Sequence, residues 1–231
     1  MLISLVSGSS ITAAEDFTPH PEKSICITGH RAKGIKPYRR KPEYQRLTAS
    51  AVQFMLFRYI DMACEAGFTT FFDGLAPGTD LWAAQYILRK KSQGRNIQLI
   101  GVMPFLRHAD LFPRQERSLL AEIERGCDQL VITCSDPELV YDKRGAGSGL
   151  YRDRNYFMAD NSSAVIAFLN RDARFSGTQQ TVNRAERSDK RILRFGCDDI
   201  HDIIDRTGTQ LPDICREIAC IPNFFQLFES E

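Results

Sequence analysis

The chain has 231 residues, of which 43% are hydrophobic and 26% charged, and its net charge at pH 7 is +1. These values are typical of a globular protein with room for one α/β domain and its core. The near-neutral charge argues against nucleic acid as a partner, although a local basic patch is compatible with it. No apolar run approaches the about 20 residues that span a bilayer, so we expect no membrane association.

The first 22 residues are predicted to form a flexible leader, because Gly, Ser, Thr and Pro are frequent and periodicity is absent. Their apolar start lacks a basic segment and is too short for a signal peptide. None of the seven cysteines forms a CxxC pair, and most lie in apolar runs, as reduced thiols do. We therefore expect a cytoplasmic protein without a metal site.

From Ser24 onward, short apolar runs alternate with helical patterns. Strands are predicted at 24–28, 68–72, 96–103, 129–134, 164–169 and 191–195. Helices are predicted at 43–66, 79–91, 113–125, 150–161 and 178–189, with shorter ones at 199–206 and 212–219. This alternation predicts an α/β fold, doubly wound, with a mainly parallel sheet of about six strands and helices on both faces. We expect residues 23–196 to form this domain and 197–231 a helical extension with an aromatic tail.

Ligands of a doubly wound sheet bind beyond the carboxyl ends of the strands, so the residues that follow each strand are the candidates. They are Gly29, His30 and Arg31 after the first strand, Asp73, Gly74, Gly78, Thr79 and Asp80 after the second, Pro104 and Phe105 after the third, and Ser176, Gly177 and Thr178 after the fifth. Glycine permits close backbone approach, arginine neutralises an anion, and helix N-termini present N–H groups to phosphate. Plain turns and helix caps by Asp80 or Ser176 explain the same residues.

The helix before the fifth strand adds Arg154 and Asn155, which can reach the same edge, although a solvated charged face is the simpler interpretation. His30 is the one histidine inside a candidate loop, and a single histidine is weak support for acid–base chemistry. The sequence contains neither a G-x-G-x-x-G nor a P-loop motif, so we expect no NAD(P) and no other cofactor.

Five motifs in order carry a family resemblance over residues 24–196: ITGHR, FDGLAPGTDLWAA, GVMPF, YRDRNYFMADNSSAVIAF and SGTQQTVNRA. This series resembles the YpsA-like branch of the SLOG superfamily, which is related to the Lonely Guy phosphoribohydrolases and to the DNA-processing protein DprA. The resemblance implies a Rossmann-like sheet that binds a nucleotide or a nucleotide-derived ligand, such as a nucleotide-sugar or an ADP-ribose-like molecule. A binding or sensor module is therefore the first functional hypothesis.

The resemblance places the family's glycine–acid element on Gly78, Thr79 and Asp80, where the relatives typically carry Glu in place of Asp80. The enzyme relatives have a PGGxGTxxE motif, whereas this chain has SGTQQT in the comparable loop, without the second glycine or the acid. The second hypothesis is a phosphoribohydrolase-like N-glycosidase acting on nucleoside monophosphates. In that case Asp80 would be catalytic, stabilising an oxocarbenium ion or activating water, and Arg154 would hold the phosphate.

Two further expectations concern macromolecular partners. A basic segment at 33–46 contains Tyr38 and Tyr44 and suits single-stranded DNA, which gives a third, DprA-like hypothesis. The aromatic residues Phe54 and Phe57 and the pair Phe224–Phe225 favour a homodimer.

Overall fold

The computed structural model describes residues 2–136, 148–173 and 175–226. The strands are β1 (Leu2–Ile3), β2 (Ser10–Ala13), β3 (Ser24–Gly29), β4 (Thr70–Asp73), β5 (Gln98–Met103), β6 (Gln129–Ile132), β7 (Ala164–Phe168) and β8 (Arg191–Phe195). The helices are α1 (Gln45–Glu65), α2 (Thr79–Ser92), α3 (Arg114–Gly126), α4 (Ser148–Asp160), α5 (Gly177–Arg187), α6 (Cys197–Thr207) and α7 (Leu211–Ala219).

The strands form one sheet in the order β1-β2-β6-β5-β4-β3-β7-β8. β1 and β2 are antiparallel, and every other neighbouring pair is parallel. The predicted Rossmann-like α/β fold is therefore confirmed. Chain order reverses at β3, because β4, β5 and β6 extend to one side of it and β7 and β8 to the other. The topological switch point, where such sheets bind ligands, thus lies between β3 and β7.

Helices cover both faces of the sheet, which explains why the central strands are almost continuously apolar. Ile25 and Ile27 belong to a cluster with buried residues of α1, α2, α3, α6 and α7. Cys26, which points to the opposite face, packs instead with residues of α4 and α5.

The amino-terminal residues differ from the expected flexible leader. β2 pairs in parallel with β6 through Thr12 and Ala13, and Ile11 is buried in the core. The hydroxyl of Ser4 donates a hydrogen bond to the buried carboxylate of Glu124. The sheet accordingly has eight strands where about six were predicted. β1 and β2 are two and four residues long, too short to produce a readable alternation in the sequence.

The carboxyl-terminal helices α6 and α7 contribute to the same cluster as α1, and the ring of Phe225 is buried against Phe68 with centroids 5.2 Å apart. Phe57 stacks on Tyr86 within the chain at 4.2 Å. These two aromatic residues are therefore satisfied inside one molecule, and the homodimer stays a prediction that they do not support. Within the described residues, no helix combines the length and apolarity that crossing a bilayer requires.

The loop after β3 lies directly against the start of α2, and two glycines permit this approach. Gly78 has φ 98°, in the left-handed region, and a Cβ on it would lie 2.7 Å from the Cα of Arg31. A Cβ on Gly29 would lie 2.6 Å from the side chain of Thr79. The backbone conformation and the close contact both require glycine at position 78.

A pair of substitutions separates these two requirements. Gly94→Ala introduces a side chain at φ 89° in open space, so we expect it to lower the free energy of unfolding by about 1 kcal/mol from backbone strain alone. Gly78→Ala adds the clash with Arg31, and we expect a loss of about 3 kcal/mol or more. Urea denaturation of both variants measures the difference. Equal losses would contradict the contact between the loop and α2.

Candidate functional site

A cavity of about 340 Å³ lies beside the switch point, at the carboxyl edge of the sheet. Most of the predicted site residues line it, namely Gly29, His30, Arg31, Asp80, Arg154, Asn155, Ser176, Gly177 and Thr178. They come from the loop after β3, the first turn of α2, helix α4 and the start of α5. Loops that are distant in sequence therefore meet around one space, as the parallel topology requires.

The other predicted residues are not among those that line this cavity. They are Asp73, Gly74, Gly78, Thr79, Pro104 and Phe105. The carbonyl of Gly74 accepts a hydrogen bond from Arg154, and the ring of Phe105 packs edge-to-face on Tyr151 with centroids 5.7 Å apart. Thr79 donates its hydroxyl to the carbonyl of His30 at 2.7 Å. Gly74, Phe105 and Thr79 therefore support residues of the cavity wall, and direct ligand contact by these six residues stays a prediction.

Further lining residues were absent from the candidates: Thr28, Lys33, Gly34, Ala76 and Tyr151. Tyr151 precedes Arg154 and Asn155 by three and four residues in α4, so helical spacing alone would have placed it on their face. Lys33 lies in the basic segment that had been assigned to a different hypothesis. Tyr151 is the first residue of the motif YRDRNYFMADNSSAVIAF, from which only Arg154 and Asn155 were chosen as candidates.

Two predictions concern the start of α2, namely N–H groups presented to a phosphate and a helix cap by Asp80, and the structure agrees with neither. The N–H of Thr79 donates to His30 O, that of Leu81 to Ala76 O and that of Trp82 to Gly78 O, so these groups are not offered to a ligand. Asp80 makes no N-cap hydrogen bond, because the cap position belongs to Gly78. Its carboxylate instead accepts from the N–H of Ala76 at 3.4 Å and forms part of the cavity wall.

The start of α5 has the expected cap. The hydroxyl oxygen of Ser176 accepts from the N–H of Gln179 at 3.1 Å, which confirms the predicted serine N-cap. Gly177 is tightly placed, since a Cβ on it would lie 3.1 Å from Nδ2 of Asn155. Gly177 and Thr178 both line the cavity, and the first N–H groups of a helix have no partner within it. This wall consequently favours a negative group.

Arg154 is buried, and its guanidinium is held in place by the protein. Nε and Nη2 donate to Oδ1 of Asn155 at 3.0 and 2.7 Å, and Nη1 donates to Gly74 O. A Cβ on Gly74 would lie 2.5 Å from Nη1 and 2.9 Å from Oδ2 of Asp80. Gly74 therefore permits the cation and the carboxylate to flank the same stretch of backbone.

The two buried carboxyl groups of this region titrate abnormally. Burial raises the pKa of Asp80 to about 6, although the guanidinium of Arg154 acts to lower it. Burial, followed by the charge of Asp80, raises the pKa of Asp73 well above its usual range. Oδ2 of Asp73 is buried and has no hydrogen-bond partner among the described residues, which suits an uncharged carboxyl. The cavity wall therefore contains a carboxyl group that changes charge just below neutral pH.

His30 lines the cavity as a neutral side chain. Its Nε2 accepts a hydrogen bond from the N–H of Asn170 at 3.0 Å, and burial lowers its pKa. Because Nε2 already accepts this hydrogen bond, the neutral imidazole offers the cavity no free lone pair for a general base. Among the described residues, no three His, Cys, Asp or Glu side chains come together as a set of metal ligands.

Comparison with known proteins gives a family but no characterised counterpart. No curated protein matches the chain. A solved structure of DNA processing protein A (DprA) from Streptococcus pneumoniae is similar at 19% sequence identity and a TM-score of 0.49. That similarity covers 84% of this chain and 61% of the DprA chain, so the present chain spans less than two thirds of its length. The YpsA family model, described as the YspA SLOG family, matches residues 25–200. This match includes every wall of the cavity, and the chain belongs to the YspA SLOG family.

Proposed function

We propose that the protein binds a nucleotide or nucleotide-derived ligand in the cavity at the carboxyl edge. The observation that carries the proposal is the combination of a helix N-terminus at Gly177 and Thr178, the cation Arg31 and the carboxylate Asp80 around one space. A phosphorylated ribose presents the complementary groups, an anion and vicinal hydroxyls.

The phosphate is assigned to the start of α5. The dipole of an eleven-residue helix and its first N–H groups attract an anion there, and Arg31 is exposed at the same cavity. The hydroxyls of Ser176 and Thr178 can add donors. This arrangement needs neither a double glycine nor an acid after Gly177, so it is compatible with the departure of SGTQQT from the enzyme motif.

The ribose is assigned to Asp80 and the base to Tyr151. An ionised carboxylate accepts two hydroxyl hydrogen bonds, which is the usual way in which nucleotide-binding folds hold a ribose. Tyr151 offers an aromatic wall whose ring is supported by Phe105. The volume of about 340 Å³ is at the lower end of the roughly 300–1,000 Å³ of ligand pockets. It suits one nucleotide, and a nucleotide-sugar or ADP-ribose would extend towards Lys33.

An N-glycosidase acting on nucleoside monophosphates is the second candidate. The observation in its favour is the raised pKa of Asp80, about 6, which suits a group that exchanges protons near neutral pH. The absence of an acid in SGTQQT counts against it, because only Asp80 would then serve the reaction. We therefore rank it below binding alone.

Two expectations remain, namely binding of single-stranded DNA and a cytoplasmic location. For single-stranded DNA, the basic segment offers less than its composition suggested: Tyr38 is buried, and Lys36 and Arg39 pair with Asp172 and Asp205. Nucleic acid is therefore not proposed as a partner. A cytoplasmic location stays a proposal, and it is argued from the position of most cysteines in apolar runs.

The binding proposal predicts a specific loss at Arg31. Titration calorimetry with AMP, UDP-glucose and ADP-ribose should detect binding of at least one of them by the parent protein. Arg31→Gln should weaken it by about 10-fold or more, since a charge-assisted hydrogen bond contributes about 1.5–3 kcal/mol. Arg46→Gln, an exposed arginine outside the cavity, is the matched control and should leave affinity unchanged. Absence of heat across the panel, or equal affinity of Arg31→Gln and parent, would refute the proposal.

The glycosidase candidate is tested by product formation. Incubation with nucleoside monophosphates should release no free base, as detected by chromatography, if the protein only binds its ligand. If base is released, Asp80→Asn should slow the release by about 100-fold or more, because it removes the one carboxylate that the described residues contribute to the cavity wall. Base release that is unaffected by Asp80→Asn would exclude the assigned role of Asp80.

The raised pKa of Asp80 predicts a pH-dependent affinity. Below about pH 6 the carboxyl is mostly protonated and accepts hydroxyl hydrogen bonds poorly, whereas above it the carboxylate is available. Affinity for the ligand identified in the panel should therefore rise between pH 5 and pH 7 in the parent protein. In Asp80→Asn the side chain at position 80 does not titrate, so its affinity should change less with pH over this range. A parent profile as flat as that of the variant would argue against ribose binding at Asp80.

A further inference from the structure

Asn170, two residues beyond β7, connects three separate parts of the chain. It is buried, with 5% of its surface exposed. Its backbone N–H donates to Nε2 of His30 at 3.0 Å, and its Nδ2 donates to Gly34 O at 2.8 Å. Its Oδ1 accepts from the N–H of Cys197, the first residue of α6, at 2.9 Å. The side chain is thus bonded on both its donor and its acceptor side.

The first of these contacts determines the state of His30. A ring nitrogen that accepts an N–H hydrogen bond carries no proton, so the neutral imidazole must have its proton on Nδ1. The ring also packs edge-to-face on Phe168 with centroids 5.5 Å apart, which restricts its rotation. No described residue accepts a hydrogen bond from Nδ1 of His30, and His30 lines the cavity. The Nδ1–H of His30 is therefore available to donate a hydrogen bond to a bound ligand.

The other contacts bind the cavity loop to α6. The N–H of Lys36 donates to Sγ of Cys197 at 3.2 Å, and Nε2 of His201 lies 3.0 Å from Lys36 O. Together with the Asn170–Gly34 bond, these interactions attach residues 34–36 to the first turns of α6. The residue before α6 also lies close to the segment that carries Asn170, since a Cβ on Gly196 would lie 3.1 Å from Leu169 O and 3.3 Å from the Cα of Asn170.

We propose that Asn170 is a positioning residue that couples α6 to the ligand cavity. Its backbone N–H holds His30 as the Nδ1–H donor for an acceptor oxygen of the ligand, and its side chain holds the 30–36 loop against α6. The ligand part rests on the proposed function, whereas the coupling between α6 and the loop is a property of the free protein. Helix α6 thereby becomes part of the binding machinery without touching the ligand.

Asparagine supplies both the donor for Gly34 O and the acceptor for the N–H of Cys197, whereas aspartate and alanine do not. Aspartate keeps the acceptor for Cys197 but has no donor for Gly34 O, and it brings a carboxylate towards a carbonyl. Alanine keeps the backbone bond to His30 and removes both side-chain bonds, which releases the loop from α6. Asn161→Ala is a suitable control, because Asn161 lies at the opposite end of β7 and its Nδ2 makes one comparable bond, to Phe157 O at 2.8 Å.

The test uses the full-length, ligand-free protein. Side-chain ¹⁵N spectra should show His30 as the Nδ1–H tautomer. Amide hydrogen exchange of Gly34, Ile35 and Lys36 should accelerate by about 10-fold or more in Asn170→Ala, because each lost hydrogen bond contributes about 1 kcal/mol. Asn161→Ala should leave these amides unchanged. An Nε2–H tautomer of His30, or equal exchange of the three amides in the two variants, would overturn the proposal.

A second variant isolates the donor of His30. In His30→Met the thioether sulfur can act as a weak acceptor for the N–H of Asn170, and the side chain has no N–H to replace Nδ1–H. Loop exchange should stay at the parent level while affinity for the ligand found by calorimetry falls about 10-fold. Unchanged affinity would refute the donor role. If no nucleotide binds the parent while the tautomer and exchange results hold, the proposed function fails and the positioning role of Asn170 is supported.

Discussion

The site depends on the contact between the backbone after β3 and the first turn of α2. Gly29 and Gly78 allow these segments to approach to a distance at which any side chain would clash. The contact uses the N–H of Thr79 to satisfy the carbonyl of His30, so this N–H group of α2 is not available to an anion, although the side chain of Asp80 still lines the cavity. The same approach buries Asp80 at the edge of the sheet. Anion binding is therefore left to α5, whose first residues face the same cavity from the other side of the switch point.

Burial then determines the charge state of the site. Asp80 and Asp73 share a water-poor region with Arg154, and desolvation raises the pKa of both carboxyl groups. Arg154 is itself fixed by Asn155 and by the carbonyl of Gly74. Because Arg154 is already fixed before a ligand binds, little reorganisation is needed on binding. The carboxyl of Asp80 beside it, which ionises near neutral pH, can then distinguish ligands that have free hydroxyls from ligands that lack them. This preorganisation serves binding as well as catalysis, which is why geometry alone does not favour the glycosidase.

The amino-acid sequence predicts the α/β fold and the meeting of most candidate residues around one cavity, because both follow from periodicity and from the rule for parallel sheets. Strands β3–β8 and the convergence of Arg31, Asp80 and Thr178 were predicted from local patterns and from motif order. β1 and β2 could not be predicted, since such short edge strands depend on pairing with β6. The role of Asn170 could not be predicted either, because its partners His30, Gly34 and Cys197 all lie far from it in the sequence and leave no local signal.

The most direct test of the central claim is a crystal structure of the protein with a ligand from the nucleotide panel. We expect electron density in the cavity, with phosphate oxygens within hydrogen-bonding distance of the backbone N–H groups of Gly177 and Thr178 and ribose hydroxyls at Asp80. A ligand bound elsewhere on the surface, or one whose phosphate lies away from the start of α5, would contradict it.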